Sequence, residues 1–148
     1  MRQWIRVLRI ALVALAAALP ASGEAAIRSQ RMAFVRESPA DLSIAEGGIR
    51  LVRYRFSRLI RGTENPFKVL AGGPSLVFDV RNDGKEPRDF AVAVALFDGQ
   101  GTLLGAGTQS HTGKLDPGES NQMKVVLKDV NQDVSRAATL FVALETRR

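Results

Sequence analysis

The chain has no cysteine among its 148 residues. Disulfides, thiolate nucleophiles and cysteine-held metals are excluded with it, as is a lipid anchor acylated on cysteine. Histidine occurs once, at His111, so a three-ligand zinc site would need carboxylates around a single imidazole. Aromatic residues make up only 6%, with one Trp and one Tyr, too few to build a base-stacking platform for single-stranded nucleic acid. The apolar run Ile10–Leu19 falls short of the roughly 20 residues that cross a bilayer.

What is present begins with that run. Arg2, Arg6 and Arg9 precede it, and Pro20-Ala21-Ser22-Gly23 follows. Basic, apolar and small-residue regions in that order predict a secretory signal peptide. The predicted cut follows Gly23, with cuts after Ala25 or Ala26 nearly as good. Removal of residues 1–23 leaves 125, the size of one domain, which buries roughly two thirds of its unfolded surface. An exported domain without disulfides has to be held by its core alone.

The net charge of +6 overstates the basicity of that remainder. The leader holds three of the 21 basic residues and none of the 15 acidic ones, which leaves +3. The excess is local: residues 24–70 carry nine basic and five acidic side chains, residues 71–148 nine and ten.

From Ile27 onward, short alternating runs separated by Gly, Pro, Asn and Asp predict an all-β sandwich of seven to eight strands, spanning 27–146. Arg31–Arg36 reads as a first strand ended by Ser38-Pro39. In Ile49–Ile60, Val52, Tyr54 and Phe56 are expected on one face, with Arg53, Arg55 and Ser57 on the other. Arg50 and Arg58 fall in the apolar phase, so they either sit at the rim or follow a bulge. Phe67–Leu70 reads as a short edge strand. Leu76, Phe78 and Val80 alternate with Asp79 and Arg81, and Asn82-Asp83-Gly84-Lys85 reads as a turn in which Gly and Asn or Asp can take positive φ. Phe90–Phe97 and Thr102–Ser110 form an expected hairpin around Asp98-Gly99-Gln100-Gly101. Asp116-Pro117-Gly118-Glu119 reads as a type II turn. Met123, Val125 and Leu127 mark another strand, Asp129–Arg136 a helical turn capped by Asp129, and Leu140, Val142 and Leu144 the last strand.

Val94-Ala-Leu-Phe-Asp98-Gly-Gln-Gly101, then Leu115-Asp-Pro-Gly-Glu-Ser120, resembles the bacterial FxLYD-type domains. Leu96 and Asp98 match that motif, Phe97 stands for its Tyr, and Val94 replaces its first Phe. Upstream, Val80-Arg-Asn82 resembles the Val-x-Asn strand end that precedes it. The resemblance covers Leu76–Leu127, roughly a third of the chain. It implies an immunoglobulin-like sandwich and an accessory or binding role, with no catalytic residues to carry over.

Three groups of residues stand out chemically. Ser110 next to His111 points the opposite way on a strand, so the pair cannot make a nucleophile–base contact, and no Gly-x-Ser-x-Gly elbow is present. Asp79, Asp83, Glu86, Asp89 and Asp98 cluster around turns, but their spacing matches no defined cation loop. Arg50, Arg53, Arg55, Arg58 and Arg61 share one segment with no acid between them. Arg53 and Arg55 stand about 7 Å apart on a strand, suited to phosphates or carboxylates of an extended anion such as a lipid head group or an acidic glycan. The commoner use of such charges is to guard an edge strand from pairing.

Ala91, Ala93, Ala95 and Phe97 form a low-relief strip opposite Phe90, Val92, Val94 and Leu96. Covered by Ile49, Leu51 or the N-terminal segment it is core, the commoner fate of such a strip. Uncovered, it is a docking surface. The expected function is a non-enzymatic, cofactor-free binding or accessory module of a bacterial envelope, periplasmic or secreted, that engages a protein partner through a strand edge or sheet face. Anion binding along the arginine strand is the alternative, and a hydrolase with an unrecognised site the most remote.

Overall fold

The computed structural model of the chain describes residues 25–57, 74–128 and 134–147. The leader, Arg58, Arg61, the expected strand Phe67–Leu70 and the Asp129 cap lie outside them. Among the described residues eight strands are formed: β1 (Ala26–Ala33), β2 (Ala40–Glu46), β3 (Ile49–Ser57), β4 (Ser75–Asn82), β5 (Asp89–Asp98), β6 (Leu103–Ser110), β7 (Ser120–Val126) and β8 (Ala137–Arg147). They build two four-stranded sheets, β1-β8-β5-β6 and β2-β3-β4-β7, in which every pairing is antiparallel.

The inner faces meet in one core. Ile49, Leu51, Tyr54, Leu76, Phe78 and Val125 from one sheet join Val92, Leu96, Leu140, Val142 and Leu144 from the other, all fully buried. Each such side chain contributes about 1.5–3 kcal/mol, and in the absence of disulfides this burial holds the domain. Leu115, Leu127 and Val134 extend the core from the connections.

The arginine strand contains a bulge. Leu51 faces Val80 and Arg53 faces Asp79, so Val52 has no opposite number on β4. The extra residue resets the alternation: Ile49 and Leu51 point inward before it, Tyr54 after it. Val52 is therefore 38% exposed rather than sharing the buried face of Tyr54. The same bulge, not a rim position, turns Arg50 outward.

Two other expectations change. The first strand begins at Ala26, five residues earlier than read, and β2 was missed altogether. Its signal, Leu42 and Ile44 buried with Asp41, Ser43 and Ala45 exposed, ends at Gly47-Gly48. Those glycines take φ of 55° and 92° and close a tight β2–β3 hairpin. Gly84, by contrast, is not among the glycines with positive φ, and its turn carries the chain from one sheet to the other.

The β5–β6 hairpin forms as read. Gly101 N–H donates to the Asp98 carbonyl (3.1 Å) with Gly101 at φ 84°. The Pro117-Gly118 turn forms too, with Glu119 N–H donating to the Asp116 carbonyl (3.1 Å) and Gly118 at φ 81°. Where β6 meets the end of β7, Lys128 N–H donates to the Ala106 carbonyl (2.7 Å), and a Cβ on Gly107 would lie 2.2 Å from the Val126 carbonyl oxygen. That glycine is there for closeness of approach.

Candidate functional site

With both inner faces committed to the core, chemistry is left to the two outer faces and the strand ends. On the β2-β3-β4-β7 sheet, antiparallel register sets residues in rows. One row reads Arg50, Arg81, Ser120 and the next Asp41, Arg53, Asp79, Gln122. β3 lies between β2 and β4, so edge protection is not what its arginines do.

Each described arginine of β3 is tied sideways. Arg50 Nη2 pairs with Asp83 at 2.6 Å and Arg53 Nε with Asp79 at 2.5 Å. Arg55 Nη2 donates to Gln122 Oε1 at 3.1 Å, and Arg81 joins Asp83 through its Nε. Gln122 Nε2 donates in turn to the other Asp79 oxygen at 2.9 Å. The Arg53 hydrogen bond is the main cause that holds the Asp79 carboxyl below its ordinary range, helped by Gln122, and the same bond raises Arg53. Such exposed pairs order side chains more than they stabilise the fold. Val52, Arg53, Asp79, Arg81, Ser120, Asn121 and Gln122 line an open hollow of about 550 Å³.

The outer face of the β1-β8-β5-β6 sheet is different. β5 is interior, and its alanine strip points away from the core. Ala93 is exposed, while Ala91, Ala95 and Phe97 are half-buried, the pattern of a face left open; Ile49 and Leu51, two of its proposed covers, lie in the core. Ala93 stands between Ala143 and Thr108, Ala95 between Phe141 and Ala106, and Phe97 between Thr139 and Leu103. Leu103 is 52% exposed and Ile27, on β1, 62%. The Arg31 guanidinium lies over the Phe97 ring at 5.5 Å. Phe141, Leu103 and Ile27 join this surface through cross-strand register, which a single sequence does not display.

His111 is an anchored residue rather than a loosely solvated one. Its ring stacks on Phe90 with centroids 4.8 Å apart. Nδ1 lies 2.9 Å from the Gly113 carbonyl, which can only accept, and Nε2 lies 2.9 Å from Asn121 Nδ2. The Asn121 oxygen takes the Gln122 N–H at 2.6 Å, so its amino group is the end that faces the ring. These partners select the neutral Nδ1–H tautomer, and neither nitrogen reaches a Ser, Asp or Glu side chain among the described residues.

The acidic group disperses. Asp79 and Asp83 serve arginines, Glu86 pairs with Arg88 at 2.8 Å, and Asp89 stands across from Arg147. Asp98 is buried, with Oδ1 accepting from Gln100 N (2.9 Å) and Thr102 N (2.8 Å) and Oδ2 meeting Arg136 at 3.2 Å. The Thr102 bond is the main cause that lowers its carboxyl. Among the described residues, no three His, Asp or Glu side chains come together in a way that could hold a metal ion. No described helix is long and apolar enough to cross a membrane.

Asn82, at the strand end that carries the family resemblance, is fully buried and fully used. Its Nδ2 donates to the Glu86 and Leu115 carbonyls (2.9 and 2.8 Å) and its Oδ1 accepts from Gly84 N (2.8 Å). That pattern clips two connections together and leaves Asn82 no chemistry to perform. No family model and no curated protein sequence matches the chain.

Proposed function

We propose that this chain is an exported, immunoglobulin-like binding module of a bacterial envelope, periplasmic or secreted, which docks a protein partner through the outer face of the β1-β8-β5-β6 sheet. The observation that carries the reading is the open apolar strip, Ala91, Ala93, Ala95 and Phe97, extended by Leu103, Phe141 and Ile27. Small side chains at its centre let a partner's backbone approach to sheet-packing distance, about 10 Å between layers. Exposed apolar surface of this kind marks interaction sites. Export is supported by the leader pattern of residues 1–23. The immunoglobulin-like and FxLYD-type reading draws support from β4 pairing with β7 in one sheet while β5 pairs with β8 in the other, the arrangement of the B–E and C–F strand pairs in that fold.

A photo-crosslinker at Ala93 tests the proposal in envelope extract, with one at the exposed Ser38, between β1 and β2, as control. The reading expects a single defined adduct from Ala93 alone, retained at moderate salt. Equal adducts from both positions, or an Ala93 adduct lost at modest ionic strength, would remove it.

A further inference from the structure

We infer that the outer face of the β2-β3-β4-β7 sheet binds an acidic polysaccharide, along a polar track from Arg53 and Arg81 across Asn121 to the His111 loop. The site is separate from the apolar docking face, and either reading can fail without the other.

Shape comes first. The hollow of about 550 Å³ beside Arg53 adjoins a second of about 460 Å³ lined by Gln109, Ser110, His111, Thr112 and Lys124, and the two share Asn121 and Gln122. From β3 to β7 the track crosses two strand spacings, about 10 Å, before it turns over the β7 edge. An extended chain of a few sugar rings fits this better than a compact ligand.

Charge comes second. Asp79 lines the first hollow, but its two oxygens are taken by Arg53 and Gln122. Asp83 is shared between Arg50 and Arg81. Asp41 also faces Arg53 across the β2–β3 pair, so three aspartates stand against Arg50, Arg53, Arg55, Arg81 and Lys124, and positive charge remains in excess. Arg53 and Arg81 meet their aspartates through Nε, so the opposite edge of each guanidinium is left unused by that aspartate. Two arginines on neighbouring strands, Arg53 opposite Asp79 and Arg81 two residues along β4, suit carboxylates or sulfates on one polymer.

Neighbouring chemistry selects among polyanions. The aromatic rings of this sheet turn away from the track: Tyr54 and Phe78 are fully buried, and Phe56 packs edge-on against Phe34. Among the described residues, nucleobases therefore find no stacking platform on this face. Ser120, Asn121 and Gln122 instead offer hydroxyl and amide groups to sugar hydroxyls, and the neutral His111 ring holds Asn121 in place.

The test measures binding of the protein to polygalacturonate and to dextran sulfate, with neutral dextran and an oligo-dT strand as comparisons. The proposal expects both acidic glycans to bind, more weakly as salt rises, and R53Q/R81Q to weaken them about tenfold while R28Q/R31Q, which removes equal charge from the other sheet, leaves them nearly unchanged. S120D, which keeps both arginines and adds an acid opposite Arg81, should weaken binding too and covers the case in which the double variant fails to fold. No binding to either acidic glycan, an equal loss in R28Q/R31Q, or tighter binding of oligo-dT would each overturn the proposal.

Discussion

The two outer faces of this sandwich are built on the same plan and finished in opposite ways. Each covers four antiparallel strands and backs onto the same core. One carries Arg50, Arg53, Arg55 and Arg81 laced to Asp79, Asp83 and Gln122; the other carries alanines between Phe97, Phe141 and Leu103. Inner positions are dictated by packing and read alike in both sheets. Outer positions are free of that demand, so the contrast between the faces reports use rather than folding. Where charges lace strands together, a partner has to bring charge of its own and meet the guanidinium edges that the aspartates leave. Where small apolar side chains lie open, association removes them from water at no electrostatic cost.

The largest expected effect breaks the inner equivalence of the sheets. Leu51→Ala, one residue before the bulge, should cost about 3 kcal/mol in chemical denaturation, while Val52→Ala should stay within about 0.5 kcal/mol. Similar costs at the two positions would mean that the bulge does not divide them. Next comes acid. Asp79 and Asp98 have carboxyls held below the ordinary value of 3.8, so their stabilisation is present above that value and fades as pH falls below it. A melting series should lose midpoint steeply below pH 3.8, and Asp79→Asn/Asp98→Asn should flatten that limb. At the other extreme, burial raises the Tyr54 hydroxyl above 10.0; its contribution is intact below pH 10.0 and lost above it, and Tyr54→Phe should blunt the alkaline fall. The smallest effects compare the outer faces directly. Arg31→Ala should cost about 0.5–1 kcal/mol through its contact with Phe97. Arg53→Ala should move the melting midpoint by no more than about 2 °C, and less in high salt. A larger loss at Arg53 than at Leu51 would reverse the account of what each face is for.

Much of the strand pattern is legible in the chain because period-two alternation is local. Leu76-Phe78-Val80, the β5–β6 hairpin and the Pro117-Gly118 turn are written in neighbouring residues. β2 escaped because its inward apolar positions are only Ala40, Leu42 and Ile44, and Asp41 and Ser43 resemble a loop. The arginines of β3 could be found as a composition, yet their partners could not: Asp79 and Gln122 sit 26 and 69 positions from Arg53 and reach it only through register. The alanine strip was visible, but whether anything covered it was not. Arg81, Ser120 and Asn121 carry no sequence signal that sets them beside Arg53, since adjacency across a sheet is a property of pairing and not of spacing.

The placement of β1 and β8 bears on when the molecule can take shape. β8 lies between β1 and β5, with Ala26 beside Thr146 and Phe90 beside the same Thr146. The first described strand and the last are thus neighbours, and one sheet has its central seam filled by Ala137–Arg147. Without Ala137–Arg147, β1 has no hydrogen-bonded neighbour and β5 pairs only with β6, so this sheet closes only when segments far apart in sequence meet, which makes its assembly a slow, non-local step.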